Sequence, residues 1–463
     1  MMRFFRPLAL HVLSLAVGVT SGASDLGTLF AERLASVVAV EFTIETELDR
    51  RQHFVSGAVI DDKGTIIIPG GNLLPHVAMD QLKDFKVYLP NSDTAMPATY
   101  LGPNVLTGFY YLRLNEASSA AKLKPFTDFA ISPRTRLGDE LWGIGLRGKD
   151  ENFAPYVLSS RVALVAKLPN QTAITAQDVG GPGLPVFTMT GELAGLALNP
   201  FGQNFLLFSR NQNGTPIMLV NAEESSVVLL AEEFLPYLQR IPENTAGRPV
   251  SWLGIYGMQP VDPDVAKLLK LEGRAGLVLS DLKADGPAAK AGLKDRDIVL
   301  AIDGEPLPRL KPDRVVVGYF GQAMLKRRPG EKVTLTALRG AEEISVEVVL
   351  GDEPKMVREA ERKYFEQFGF TAREFLAADS IMHRAAGGEH GGAVVHFLKP
   401  NGAAAAAGLR PDDWIREIDG VVVTSYAAAL EKLASLEGDA QRKEFVLLTS
   451  RGGETQVLRI KLN

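Results

Sequence analysis

Residues 179–187 read Val-Gly-Gly-Pro-Gly-Leu-Pro-Val-Phe, and residues 188–198 continue Thr-Met-Thr-Gly-Glu-Leu-Ala-Gly-Leu-Ala-Leu. Three glycines around Pro182 make a tight turn, and the apolar runs on either side of Gly191 read as strand, turn, strand. Working outward, short β-prone runs recur at 37–45, 54–61, 65–68, 85–89, 110–114, 140–146, 160–165, 185–187 and 205–208, separated by glycine and proline turns. Many short strands with such punctuation over roughly 200 residues point to a barrel or sandwich. A helix over 25–34 leads into this β region.

The chain has 463 residues, no cysteine, 46% hydrophobic and 23% charged residues, and a net charge of −5. That length implies two to four domains. The charge gives a nucleic-acid partner no electrostatic support. Without cysteine there are no disulfides and no thiolate metal sites, and no metal or other cofactor is expected. The lone His390 in a glycine-rich stretch makes no metal site. Residues 1–23 carry Arg3 and Arg6, then an apolar run over 7–20, then Ser21-Gly22-Ala23. This pattern describes a secretory signal peptide, the apolar run being short for a membrane span. The protein is therefore expected to be exported, periplasmic or secreted, with no stable membrane span once the signal is removed.

The 179–187 string resembles the nucleophile loop of trypsin-like serine proteases of the HtrA (Deg) type. That resemblance implies a double β-barrel and places the nucleophile position on Pro182. Proline has neither a side-chain nucleophile nor the backbone N–H that would help stabilise an oxyanion. Residues 54–67 resemble the string ahead of the family's histidine, whose register falls on Gly71; a shifted register would make His76 the base. Residues 102–109 resemble the string carrying the orienting aspartate, whose position falls on Gly108. With Gly71, Gly108 and Pro182 at the three positions, the expectation is a degenerate triad and a chain that is not an enzyme.

Beyond a connector expected to be helical over 222–240 lies an internal repeat. Residues 282–293 match 398–409, and 297–304 match 413–420, both at an offset of 116. Each copy reads as strand, short Ala-rich helix, glycine cap, strand and an Asp-Gly hairpin turn. The copies resemble the PDZ domains attached to HtrA-type proteases. This resemblance implies a carboxylate-receiving loop at Leu253-Gly254-Ile255 and at Phe368-Gly369-Phe370, an adjoining strand that accepts a peptide, and groove helices near 312–320 and 425–433.

The expected fold is mainly β with α+β modules: signal peptide 1–23, trypsin-like domain 24–221, helical connector 222–247, PDZ domains 248–351 and 365–463. The intervening linker, 352–364, is rich in charge and expected to form part of a helix. The functional expectation is an exported HtrA-like scaffold, adaptor or holdase that binds protein or peptide C-termini. The alternatives are an active HtrA-type serine endopeptidase and a regulatory subunit of an active homologue. The resemblance also implies a homotrimer as a possible assembly.

Overall fold

The computed structural model describes residues 25–70, 77–167, 169–201, 205–208, 216–219, 225–271, 273–385 and 391–462. The expected signal peptide, Gly71, His76 and His390 lie outside these residues.

The run Val37–Glu45 is buried on both faces: Val38, Val40, Phe42 and Ile44 fill one core, while Ala39 packs with Phe153 and Glu41 bonds Lys149. It pairs with Arg50–Val59 and Leu82–Tyr88. With Thr65–Pro69, Met96–Asn104 and Phe109–Leu114 these strands close a six-stranded barrel. A second closed barrel comprises Glu140–Leu146, Pro155–Lys167, Gln171–Thr175, Pro185–Thr188, Leu193–Phe201 and Ser225–Leu230. Closure leaves no unpaired strand edge in either barrel. One apolar cluster spans both barrels, bringing together Ala58, Tyr111, Trp142, Phe187 and Leu196.

Part of the expected helical connector is instead the last strand of the second barrel. Ser226-Val227-Val228-Leu229-Leu230 pairs with Gln171–Thr175 on one side and Leu193–Phe201 on the other. Two adjacent valines favour extended backbone, and both faces find partners. The helix proper is short, Ala231–Leu238. It buries Phe234 against Phe109 and Phe126, with ring centroids 6.4 Å away in each case.

The two repeat copies follow. Each is an antiparallel sheet with a long helix packed on it, Val315–Leu325 in the first copy and Tyr426–Glu437 in the second. The repeated aspartates explain themselves here. Asp297 accepts two hydrogen bonds from Arg339, at 2.8 and 2.7 Å, and Asp413 accepts two from Arg451, both at 2.7 Å. Each carboxylate also caps its own turn through the N–H of Lys294 or Arg410. The buried charge is thus paired and hydrogen-bonded on every side, as a buried charge requires.

The linker is not helical as expected. It holds a single short turn, Val357–Glu359, and then a strand, Arg362–Phe365.

Candidate functional sites

The loop that carries Pro182 is fixed by backbone hydrogen bonds to the second barrel. Gly181 N–H donates to Ile144 O at 2.9 Å and Gly183 N–H to Ala197 O at 2.7 Å. Gly183 has φ +82°, and a Cβ there would lie 2.6 Å from Cδ of Pro69, so only glycine lets the loop touch the first barrel. Pro69 ends the strand Thr65–Pro69, and the next residue, Gly70, donates to Gly108 O at 3.1 Å. The loop of Pro182, the end of the strand leading to Gly71, and Gly108 therefore meet between the barrels. Gly108 has φ +73°, and Asn104 forms its turn by accepting from Leu106 and Thr107 N–H and donating to Arg240 O. Ser56 brings a hydroxyl to the loop, its Oγ 3.5 Å from where a Cβ on Gly181 would sit. The loop reading by itself did not single out Ser56, because it lies more than a hundred residues away in sequence.

The barrels are also joined through a buried carboxylate. Glu41, 2% exposed, accepts from Lys149 Nζ at 2.6 Å and from Tyr88 Oη at 2.8 Å, with Lys86 Nζ at 3.5 Å. Burial alone would raise its pKa, but the lysine and tyrosine hydrogen bonds and the lysine charges outweigh it, and the carboxyl is held below its ordinary value.

In the first repeat copy, Leu253-Gly254-Ile255 forms a loop ahead of the strand Ile255–Pro260. Its carbonyls are held from behind: Ala288 N–H donates to Leu253 O at 2.7 Å and Lys283 N–H to Gly254 O at 2.9 Å. Gly254 has φ +86°, and a Cβ there would meet Pro287 Cδ at 2.9 Å. The amides of Leu253 and Gly254 have no backbone acceptor among the described residues. Among the described residues the strand Ile255–Pro260 is outermost in its sheet, paired only with Leu277–Leu282, and the helix Val315–Leu325 packs beside it.

The second copy repeats the loop geometry. Ala404 N–H donates to Phe368 O at 3.0 Å, Lys399 N–H donates to Gly369 O at 2.7 Å, and Gly369 has φ +75°. Phe368 and Phe370 are fully buried in the copy's core. The strand after this loop, Phe370–Glu374, is not outermost, because Arg362–Phe365 pairs along it.

The PDZ domain family matches residues 254–350 and, separately, residues 398–442. Probable periplasmic serine endoproteases described as DegP-like match most of the chain. The protein from Brucella suis is 25% identical over 88% of this chain and 73% of its own length. Those from Chlamydia pneumoniae and Halomonas elongata are 23% and 25% identical over 89% of this chain, and 78% and 80% of their own lengths. A solved HtrA-type protease, AlgW with a tripeptide, superposes with a TM-score of 0.51 over 72% of this chain and 98% of its own, at 18% identity. These relatives are named periplasmic, which agrees with the exported location expected from the sequence. No helix among the described residues is long and apolar enough to cross a membrane.

The expectation that the chain is not an enzyme is corrected by these relatives, which are named serine endoproteases. That expectation rested on a register drawn from resemblance alone, and Gly71 and His76, between which the register was open, lie outside the described residues. With a trypsin-like double barrel followed by two PDZ domains, the chain is similar along most of its length to the DegP-like serine endoproteases.

Proposed function

We propose that the first PDZ copy captures the C-terminal tails of exported polypeptides, with Leu253-Gly254-Ile255 as the carboxylate loop. The observation that carries this reading is the conjunction of an outermost strand, Ile255–Pro260, with the unengaged amides of Leu253 and Gly254 at its start. A peptide laid antiparallel to that strand extends the sheet and brings its carboxylate to the loop. The solved HtrA-type protease with a tripeptide lends the same fold a peptide ligand. Each hydrogen bond to the carboxylate contributes about 1.5–3 kcal/mol, and a buried apolar last side chain about 1.5–3 kcal/mol. Ordering the peptide opposes both, which leaves an affinity of roughly micromolar order. Titrating the full chain with free-acid peptides ending in Val, Leu, Ile or Phe, with hydrogen exchange to locate binding, tests this. Protection is expected at 253–258; no protection there from any peptide would refute the loop assignment.

A second reading is favoured by the relatives' name, serine endoprotease, and by the hydroxyl of Ser56 beside the 179–185 loop. In this reading the barrel pair cleaves the polypeptides that the PDZ copies hold, with a serine as nucleophile. Labelling with a fluorophosphonate, followed by mapping of the modified residue, decides it. Modification of one serine, lost with Ser56→Ala, supports the reading; a chain that takes no label counts against it.

A further inference from the structure

The two PDZ copies share a loop and a fold but differ in what lies on the peptide-accepting strand. In the first copy, the segment ahead of the loop turns away from the groove. Ser251–Trp252 pairs with Gly351–Asp352, and Ser251 Oγ donates to Met324 O at 2.7 Å. At the matching positions, residues 247–250 of the first copy are likewise held away from the groove, Val250 N–H donating to Asp352 and Val250 O accepting from Glu353 N–H, whereas residues 362–365 of the second copy lie on the strand. Arg362–Phe365 runs antiparallel to Phe370–Glu374, pairing Arg362 with Arg373, Lys363 with Ala372, Tyr364 with Thr371 and Phe365 with Phe370.

The direction matters. The linker strand runs toward the carboxylate loop, so Phe365 occupies the place of a peptide's last residue and Arg362 lies three residues upstream. Gly369 N–H, a loop amide, donates to Phe365 O at 2.8 Å. Phe365 is fully buried, its ring 5.8 Å from Phe368 and 5.9 Å from Phe370, in one cluster with Leu433 and Leu436 of the groove helix. The helix Tyr426–Glu437 packs on this strand, and Gln367 N–H donates to Glu437 Oε1 at 3.3 Å.

The upstream end of the strand is tied to the rest of the molecule at two points. Upstream, Glu359 accepts from Arg248 Nη2 at 2.6 Å, fixing the linker to the first PDZ copy. Arg362, its side chain 8% exposed, donates to Asp80 of the first barrel at 2.8 Å.

We propose that residues 362–365 are a built-in occupant of the second PDZ groove, so that this copy is closed to external peptides until the strand is displaced. This rests on the reading of the copies as peptide-binding modules. The ligand class is a peptide of the same chemistry as the occupant: an apolar or aromatic last residue with a free carboxylate. Such a peptide offers the loop a charged oxygen pair where the occupant offers only the Phe365 carbonyl. The occupant's advantage is tethering, an effective concentration on the millimolar scale. Against a peptide of roughly micromolar intrinsic affinity, that tether lowers apparent affinity at the second copy about a hundred- to a thousandfold.

The test uses the full chain, the peptide acetyl-Arg-Lys-Tyr-Phe with a free carboxylate, and hydrogen exchange read by mass spectrometry. Glu374 N–H donates to Glu361 O, so the ladder's alternation puts Lys363 opposite Ala372 in a hydrogen-bonded pair. Lys363→Pro therefore removes a ladder bond while replacing an exposed side chain. In the wild type, amides at 370–374 should be protected and indifferent to the peptide at concentrations that saturate the first copy. In the variant they should exchange at least tenfold faster and regain protection on adding peptide, with an apparent affinity at least a hundredfold above wild type. Phe365→Ala, whose core cavity also costs stability, should behave the same way, with the barrel's exchange serving as the check that the rest of the chain stays folded. Unchanged exchange at 370–374 in a folded Lys363→Pro variant, or a gain of protection there in the wild type on adding the peptide at the same concentration, would overturn the proposal. So would opening without recovery by the peptide. Protection at 253–258 reports on the first-copy reading separately, so the two can fail independently.

Discussion

Substituting Gly254 by valine isolates the loop on which peptide capture depends. The residue has φ +86°, where a side chain costs about 1–2 kcal/mol, and more for a β-branched one. A Cβ would also approach Pro287 Cδ at 2.9 Å and Gly286 Cα at 3.0 Å. Neither contact is the far end of a flexible side chain, so the 286–287 turn must shift, which adds about 1–3 kcal/mol by the usual range for overpacking. The expected loss of stability is thus about 2–5 kcal/mol, confined to the first copy. Displacing one loop amide from the carboxylate removes a charge-assisted hydrogen bond worth about 1.5–3 kcal/mol, or roughly a ten- to 150-fold weaker peptide. The matched control is Gly369→Val. There the nearest neighbours of a Cβ are Lys399 Cβ at 3.3 Å and Gly402 Cα at 3.4 Å, so destabilisation should be smaller. Because that groove holds residues 362–365, peptide affinity of the chain should not change. Chemical denaturation gives the stability and fluorescence anisotropy of a labelled free-acid peptide gives the affinity. Equal binding by wild type and Gly254→Val, with the variant folded, would refute the reasoning about the loop.

Other expectations follow from the charged groups. Asp297 is 2% exposed, and although burial raises its pKa, Arg339 and the Lys294 amide hold it below its ordinary value. A carboxyl with a lowered folded pKa stabilises above its unfolded value and loses that contribution as pH falls, so acid unfolding of the first copy should flatten in Asp297→Asn. Asp297→Ala, which removes the partner of partly exposed Arg339 and the cap on the Lys294 amide, should cost about 1–2 kcal/mol in denaturant unfolding. Lys149→Met removes one of four side-chain partners from buried Glu41; because Lys149 is itself half-exposed, the loss should be about 1 kcal/mol, read from the barrel transition. Glu41→Gln should remove the part of the barrels' acid sensitivity that appears as pH drops through and below the ordinary carboxylate range.

How much of this was legible depends on how local the cause is. The strands Val37–Glu45 and Glu140–Leu146 were readable to the residue, because β-branched and apolar residues and adjacent turns decide them locally. The repeat was readable because two copies share one register. The partners of its aspartates were not. Arg339 and Arg451 lie 42 and 38 residues downstream of Asp297 and Asp413, and only the sheet brings them back. The connector misled because Val227 to Leu230 fits a buried helix as well as a strand, and the vacant place between two barrel strands decides it. The linker misled more instructively. Glu359-Ala360-Glu361-Arg362-Lys363 has the charges of a solvated helix, but Phe365 is drawn into a preformed apolar groove and the residues before it are held extended. Between the barrels, the meeting of Pro69, Gly108 and the Pro182 loop follows from the resemblance, whereas Ser56 becomes visible only once the strands are placed.

Capture of a C-terminal carboxylate by the first PDZ copy is most directly tested by one paired titration. The full chain is titrated with a single peptide ending in valine, prepared as the free acid and as the C-terminal amide, at identical ionic strength. Amidation removes the charge that the Leu253 and Gly254 amides receive and leaves the apolar side chain in place. The free acid should bind at least tenfold more tightly, a difference of about 1.4 kcal/mol, with protection confined to the first groove. Equal affinity of acid and amide, or protection that spares 253–258, would contradict it.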